Sequence, residues 1–222
     1  MNYTVQRVAC VPALDGDWSG AVWQKAEILK IDQVRPESSE HHPITRAKLL
    51  YDARHIYVLF DVADRFVRST VTEYLGSVYN DSCVEFFVQP KLDKGYFNIE
   101  VNCGGALLLY YIEDPTPMSD EFAKFTKVPP ELGRRVTIYH SMPEVVDPEM
   151  VGDTTWRIQY ALPLDLLGHY VDAIGDPAGQ TWRANFYKCA DNSSHPHWMS
   201  WAPIAGPLNF HQPQYFQIGL SA

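Results

Sequence analysis

The chain has 222 residues, of which 46% are hydrophobic, 13% aromatic and 20% charged. This composition is typical of a globular protein with a buried core and excludes a mainly disordered chain. With 27 acidic and 18 basic residues, the formal net charge is -9, which disfavours nucleic acid or an anionic membrane as a partner. A neutral ligand is compatible with this charge.

Alternating polar and apolar residues, in short runs bounded by turn residues, predict antiparallel β-structure. The predicted strands are, in chain order, residues 47–52, 55–64, 82–89, 96–103, 105–113, 134–142, 155–164, 181–191 and 215–220. The first two should form a hairpin across Ala53 and Arg54. Strands of this number and spacing predict an all-β fold, an antiparallel β-sandwich of jelly-roll or immunoglobulin-like type, as a single domain over residues 1–222.

Helical patterns are short. Residues 22–29 and 163–171 each predict a brief helical turn, and residues 114–133, rich in Pro and Asp, predict a long loop. The first residues show no signal peptide, and no apolar run reaches the length of a membrane span. The localisation therefore stays open between the cytoplasm and secretion with the leader absent from this chain.

Four cysteines lack the C-x-x-C spacing of zinc and redox motifs, namely Cys10, Cys83, Cys103 and Cys189. We expect free and mostly buried thiols. The alternative is a disulfide between Cys83 and Cys103, which lie on adjacent predicted strands.

The faces of two predicted strands differ sharply in polarity. The apolar face comprises Val84, Phe86 and Val88 on one strand and Phe97, Ile99 and Val101 on the next. The other face brings Glu85 near Asn98, Glu100 and Asn102 if the strands pair. A solvated sheet face is one explanation. Because Asn is depleted in strands, and amides and carboxylates bind hydroxyl groups well, the row also predicts a sugar-binding surface.

Aromatic residues are concentrated near the C-terminus, between residues 195 and 216. Loops of this kind hold aromatic rings at a surface with little entropy left to lose on binding. We expect Trp201, in apolar surroundings, to be core. Phe210, between Asn209 and His211, is a candidate for ligand contact.

Several segments follow one another in a distinctive order. Asp15-Gly16 precedes Trp23, one strand reads LYDARHIYVLFDV, residues 81–86 include a strand glutamate, and residues 210–216 form an aromatic-x-x-Pro-x-x-Phe pattern. This order covers nearly the whole chain and resembles the family 9 carbohydrate-binding modules. The resemblance implies a β-sandwich that holds the end of a glucan or xylan chain between two aromatic rings from separate loops.

The resemblance also assigns roles to residues. Tyr79 and Phe210 stand where the family has two tryptophans, and Glu85 matches its hydrogen-bonding strand glutamate. Glu100 replaces a basic residue and Tyr187 a glutamine, so the ligand or its affinity is expected to differ. The predicted ligand-binding residues are Tyr79, Asp81, Glu85, Asn98, Glu100, Asn185, Tyr187, Phe210 and His211.

This assignment predicts non-catalytic binding of an oligo- or polysaccharide, with no cofactor required and with functional association with glycoside hydrolases. The family's structural calcium is an expectation at Asp15 or Asp17, for which the alternative is a role in a turn or cap.

Two other functions stay open. One is a glycoside hydrolase that uses two carboxylates among Asp81, Glu85 and Glu100. The other is a haem-binding sandwich whose axial ligands are Met199 with His195 or His197.

Overall fold

The computed structural model describes residues 3–119 and 121–216. In chain order its strands are β1 (Gln6–Arg7), β2 (Leu29–Ile31), β3 (Gln33–Val34), β4 (Ile44–Tyr51), β5 (His55–Ser69), β6 (Cys83–Gln89), β7 (Tyr96–Asn102), β8 (Leu107–Pro117), β9 (Phe122–Lys127), β10 (Thr137–His140), β11 (Val146–Pro163), β12 (Arg183–Cys189) and β13 (Trp198–Ser200). The α-helices are α1 (Pro130–Gly133) and α2 (Leu164–Val171), and single 3-10 turns lie at Trp23–Lys25, Val78–Asn80 and Pro213–Tyr215. Over the described ranges, no helix is both long and apolar enough to span a membrane.

The strands form two sheets packed face to face as a β-sandwich, which confirms the predicted fold class. The first sheet has the order β1-β4-β5-β11-β10, with β2 also paired to β4. The second has the order β3-β13-β12-β6-β7-β8-β9. All pairs are antiparallel except β1 with β4. The predicted hairpin is β4 with β5.

Apolar side chains from the inner faces of both sheets fill the space between them. Val84, Phe86 and Val88 of β6 lie in this core, as does Trp201. The alternation that predicted the core faces of β6 and β7 is therefore confirmed. The opposite face of the second sheet carries a separate apolar cluster that includes Phe87, Tyr96, Tyr110, Tyr187, Phe210 and Phe216. Because this cluster covers part of the face, the face is not the open, solvated surface that the sequence also allowed.

The segment predicted as a long loop, residues 114–133, is largely regular. It contains the end of β8, all of β9 and α1. Pro115 and Pro117 lie near register shifts between β8 and β9, at a sheet edge where a missing backbone N–H is tolerated. The loop prediction was wrong because edge pairing overrode the turn-like composition. The short helical turns within residues 22–29 and 163–171 are present, whereas the predicted strand 215–220 begins in a 3-10 turn and otherwise lies outside the described residues.

The alternative disulfide is contradicted by the directions of its cysteines. Cys83 belongs to the outer cluster of the second sheet, whereas Cys103 lies in the core between the sheets. All four cysteines are free, and all but Cys10 are buried. Cys83 instead lies directly opposite Cys189 on β12.

A buried polar network joins the two sheets. Lys188 on β12 is fully buried, and its Nζ lies 2.8 Å from His197 Nε2 and 4.0 Å from Asp64 Oδ2 on β5. The Asp64 carboxylate also bonds His41 Nε2 at 2.7 Å and accepts a 3.2 Å bond from Trp156 Nε1. Burial by itself would raise the pKa of Asp64, but the His41 bond and the charge of Lys188 outweigh it and lower that pKa.

Candidate functional site

A cavity of about 560 Å³ opens on the outer face of the second sheet. Its floor is formed by side chains of β6, β7, β8 and the end of β12. Its walls come from the segment before β6, the β8–β9 hairpin, β13 and residues 208–211. The volume lies within the range of about 300–1,000 Å³ that is typical of small-ligand sites.

The floor of the cavity is polar at its centre. Glu85 of β6 lies directly opposite Glu100 of β7, because the antiparallel register places them on the same face. Asn98 donates a 2.7 Å hydrogen bond from Nδ2 to Glu100 Oε1. Within residues 3–119 and 121–216, the other oxygen, Glu100 Oε2, is buried without a hydrogen-bond partner, and Glu85 Oε1 accepts only a weak bond from the Cys189 thiol at 3.1 Å.

Burial makes both floor carboxyl groups weak acids. It raises the pKa of Glu100 to about 8, with a smaller contribution from the nearby Asp191 charge. Burial likewise raises the pKa of Glu85 well above its ordinary value, and the neighbouring Cys189 and Glu100 add to the effect. Two carboxyl groups on opposite residues of one sheet face cannot both ionise cheaply. At neutral pH the empty floor therefore retains a proton.

Aromatic rings from several segments surround this floor. Tyr79, in the 3-10 turn before β6, is 38% exposed and lines one wall, and Phe210 lines the cavity from the C-terminal loop. The ring of Phe210 is stacked on Tyr187 with centroids 4.1 Å apart, and Tyr187 donates a 3.1 Å bond from its hydroxyl to Phe210 O. Both predicted rings therefore border the same cavity as the floor carboxyls.

Sequence reasoning missed other rings of the cavity wall. Tyr110, Phe122 and Trp198 also line it, and Trp198 donates a 2.7 Å bond from Nε1 to Asp191 Oδ1. The aromatic run 195–216 was a usable signal for Trp198. No sequence signal pointed to Phe122, because the Pro- and Asp-rich composition of its segment predicts a loop.

Three predicted residues lie outside the cavity lining because their polar atoms serve the protein. Asp81 accepts bonds from the backbone N–H groups of Thr70 and Val71, at 2.9 and 2.8 Å, and a 2.9 Å bond from Asn102. Asn185 ties β12 to Ala202 by accepting from its N–H and donating to its carbonyl. Tyr187 lies beneath Phe210. These side chains shape the site from behind.

His211 does line the cavity, next to Phe210. Its Nδ1 lies 2.9 Å from the hydroxyl of Tyr96. Burial lowers the pKa of His211 to about 3, so its imidazole is neutral at physiological pH and adds no positive charge to the site.

One group of described residues brings three potential metal ligands together. The ligand atoms of Cys83, Glu85 and Cys189 lie within 4.8 Å of one another, and such a set suits a soft ion. Burial raises the pKa of the Cys83 thiol to about 12, so these thiols are protonated without a metal. Asp15 and Asp17 accept bonds from local backbone N–H groups, as a turn requires, and calcium there stays a prediction.

The side chains proposed as haem ligands are poorly placed for that role. Met199, which belongs to both candidate pairs, packs in the core between the sheets. His197 is fully buried, and both of its ring nitrogens are engaged, Nδ1 with His195 O and Nε2 with Lys188 Nζ. Neither side chain offers a lone pair to an iron.

Comparison with known proteins places the chain in a family. The sequence profile described as carbohydrate-binding family 9 matches residues 21–219. The chain belongs to carbohydrate-binding family 9. Among curated proteins, none matches it.

Solved structures share the fold of this chain. A putative carbohydrate-binding protein from Bacteroides uniformis is 26% identical, with a TM-score of 0.85 and 99% of each chain covered. A family 9 module from Caldicellulosiruptor kristjanssonii in complex with cellotriose is 16% identical, with a TM-score of 0.67 over 100% of this chain and 94% of that one. A family 9 module from the same organism in complex with glucose has a TM-score of 0.63 at 16% identity, over 100% and 95% of the two chains. Carbohydrate binding, predicted from the sequence, is the function that the family supports.

Proposed function

We propose that this family 9 protein binds a short stretch or an end of a glucan or xylan chain in the cavity above Glu85 and Glu100. The observation that carries the proposal is the placement of a polar carboxyl and amide floor beneath aromatic walls in one open cavity. Aromatic faces stack on the C–H faces of sugar rings, and the floor groups bond to hydroxyls. The family 9 neighbours bound to cellotriose and glucose support this ligand class.

Stacking on the walls would supply much of the affinity. Trp198 is held by its bond to Asp191, and Phe210 is held by Tyr187. These two rings therefore have little side-chain entropy left to lose when a sugar binds. A site of this kind is expected to bind with a dissociation constant between about 1 μM and 1 mM.

The floor carboxyls favour binding over hydrolysis. A glycosidase needs one protonated and one ionised carboxyl flanking the scissile bond. Here Glu85 and Glu100 lie side by side on one sheet face, and burial raises the pKa of both, so neither is stabilised as the ionised partner. The third carboxylate of that hypothesis, Asp81, is fully buried and engaged by backbone N–H groups. We therefore propose a module that serves separate glycoside hydrolases.

Calorimetric titration with cello- and xylo-oligosaccharides tests this function. Tyr79→Ala, Trp198→Ala and Phe210→Ala are each expected to weaken binding at least about fivefold, if stacking of a sugar on one ring contributes roughly the 1–3 kcal/mol that a nucleobase gains on an aromatic side chain. The matched control is Trp18→Ala. Trp18 packs on Arg46 and Lys48 of the first sheet, away from the cavity, so affinity should not change.

Unchanged affinity in all three cavity variants would remove the site assignment. Steady release of shorter sugars by the wild type, abolished in Glu85→Gln, would instead support the hydrolase.

A further inference from the structure

The cavity floor has an excess of carboxyl groups over cations. Glu85, Glu100, Asp191 and Glu121 all line the cavity. Among the lining residues, Lys127 is the one basic side chain that is charged at neutral pH, and its Nζ is already 2.9 Å from Glu121 Oε1. Three carboxyl groups therefore face the cavity without a cationic side chain beside them in the lining.

One acceptor atom on the floor is left unused by the part of the chain that the structure describes. Glu100 is 4% exposed, and its Oε2 is buried without a partner among those residues. A buried acceptor without a donor costs about 1–3 kcal/mol, so a ligand that donates to it gains more than it would from a solvated group. Directly opposite, Glu85 is 2% exposed and receives only the thiol bond from the described residues.

A ligand can relieve this arrangement fully only if it brings positive charge. A sugar hydroxyl donates one hydrogen bond, whereas an ammonium group has three donors and a full charge. Charge-assisted bonds to carboxylates are about twice as strong as neutral ones. The surrounding Tyr79, Trp198 and Phe210 rings also attract a cation that is withdrawn from water.

We propose that the cavity prefers an amino sugar, with its ammonium group held between the carboxylates of Glu85 and Glu100, over the same sugar carrying only hydroxyls. This inference rests on the proposed function, since it concerns the same cavity, and it narrows the ligand to amine-bearing glucans of the glucosamine type. The ammonium occupies the position where the floor now holds a proton.

Binding of the amine should therefore depend on pH. The titratable and charged groups that line the cavity come from every element around it: Tyr79, Glu85, Glu100, Tyr110, Glu121, Lys127, Cys189, Asp191 and His211. Burial raises the pKa of the two floor carboxyls, so at pH 7.5 a floor carboxyl can give its proton to the amine, which is mainly neutral in solution at that pH, and the ammonium–carboxylate pair forms within the site. At pH 5 the proton competes effectively, and the preference for the amine should shrink.

Calorimetric titration at pH 7.5 and pH 5, in buffer with EDTA and a thiol reductant, tests the inference. The ligands are cellotriose, its fully deacetylated glucosamine counterpart, and the N-acetylated counterpart, which is neutral. At pH 7.5 the glucosamine trimer should bind about tenfold more tightly than cellotriose, and the acetylated trimer no more tightly.

Variants separate the floor from general charge effects. Glu100→Gln should bring the affinity ratio of glucosamine trimer to cellotriose close to one. Glu113→Gln, which removes the same charge beside Lys124 outside the cavity lining, should keep the ratio. The three ligands are compared on the wild type, so the test stands even if a variant folds poorly.

Two failures are distinguishable. Binding of cellotriose with no preference for the amine at pH 7.5 overturns this inference and leaves the proposed function intact. If no glucan or xylan oligosaccharide binds, with or without amino groups, the proposed function itself fails.

Discussion

Burial of Glu85 and Glu100 lowers the stability of the protein, although both carboxyl groups are proposed to bind the ligand. Each projects from the middle of a strand onto a face covered by apolar side chains. A charge there loses its hydration, so the sheet holds these groups more easily as neutral acids. The stability of the protein should therefore depend on their protonation.

Glu100 predicts the direction of that dependence. The pKa of this carboxyl group is 4.5 for an unperturbed glutamate and about 8 in the folded protein. Between these two pH values the folded state therefore holds a proton that the unfolded state has lost. The free energy of unfolding is then highest below about pH 4.5 for this group and falls as the pH rises to 8. The slope reaches up to about 1.4 kcal/mol per pH unit.

Glu100→Gln should flatten this slope and raise the free energy of unfolding at pH 8, because the amide cannot ionise. Urea unfolding at several pH values between 4.5 and 9 measures it. Glu113→Gln is the control, as Glu113 is exposed and paired with Lys124. Parallel curves for the wild type and Glu100→Gln would contradict the burial of an ionisable group at this position.

At the scale of elements, the β8–β9 hairpin turns a flat sheet face into a cavity. β9 is the edge strand of the second sheet and carries Phe122 and Lys127 to the cavity wall. Phe122 is partly exposed, and its ring lies 4.4 Å from that of His211 in the C-terminal loop. The hairpin and the C-terminal loop therefore form one continuous wall.

Phe122→Ala should weaken oligosaccharide binding roughly three- to tenfold, because it opens this wall and removes a ring face. Phe125→Ala is a matched control: Phe125 is also partly exposed on β9 but does not line the cavity. Calorimetry gives the affinities, and urea unfolding checks that both variants lose similar stability. Equal affinity losses in the two variants would place the effect in the hairpin and remove Phe122 from the site.

At the scale of the whole molecule, the two sheets are joined by apolar packing and by the buried Lys188–Asp64 network. Lys188 comes from the second sheet and Asp64 from the first. The lowered pKa of Asp64 means that its contribution to stability is present above about pH 3.8, the ordinary value, and is lost as the pH falls below it.

Lys188→Met should lower the free energy of unfolding by about 3 kcal/mol or more, since it leaves the Asp64 carboxylate buried without its cation. Adding Asp64→Asn removes the uncompensated charge, so the double variant should be less destabilised than the sum of the single changes. Denaturant unfolding of all four proteins measures the coupling. Additive effects would show that the pair does not interact across the sheets.

The sequence by itself determined which strand faces form the core and to which family the chain belongs. Alternation along β6 and β7 gave their core faces and the row of Glu85, Asn98 and Glu100, because side-chain direction in a strand follows from position alone. The order of short motifs, from Asp15-Gly16 to Phe210, gave the family. These properties are local, or depend only on the order of segments along the chain.

Only the tertiary structure decided which polar side chains face a ligand. Asp81 has the same chemistry as Glu85, yet its carboxylate accepts bonds from the backbone N–H groups of Thr70 and Val71, which lie in another segment. The wall formed by Phe122 likewise depends on an edge pairing that proline-rich composition concealed. Burial, pairing and enclosure arise from contacts between distant segments, which alternation along a single strand cannot encode.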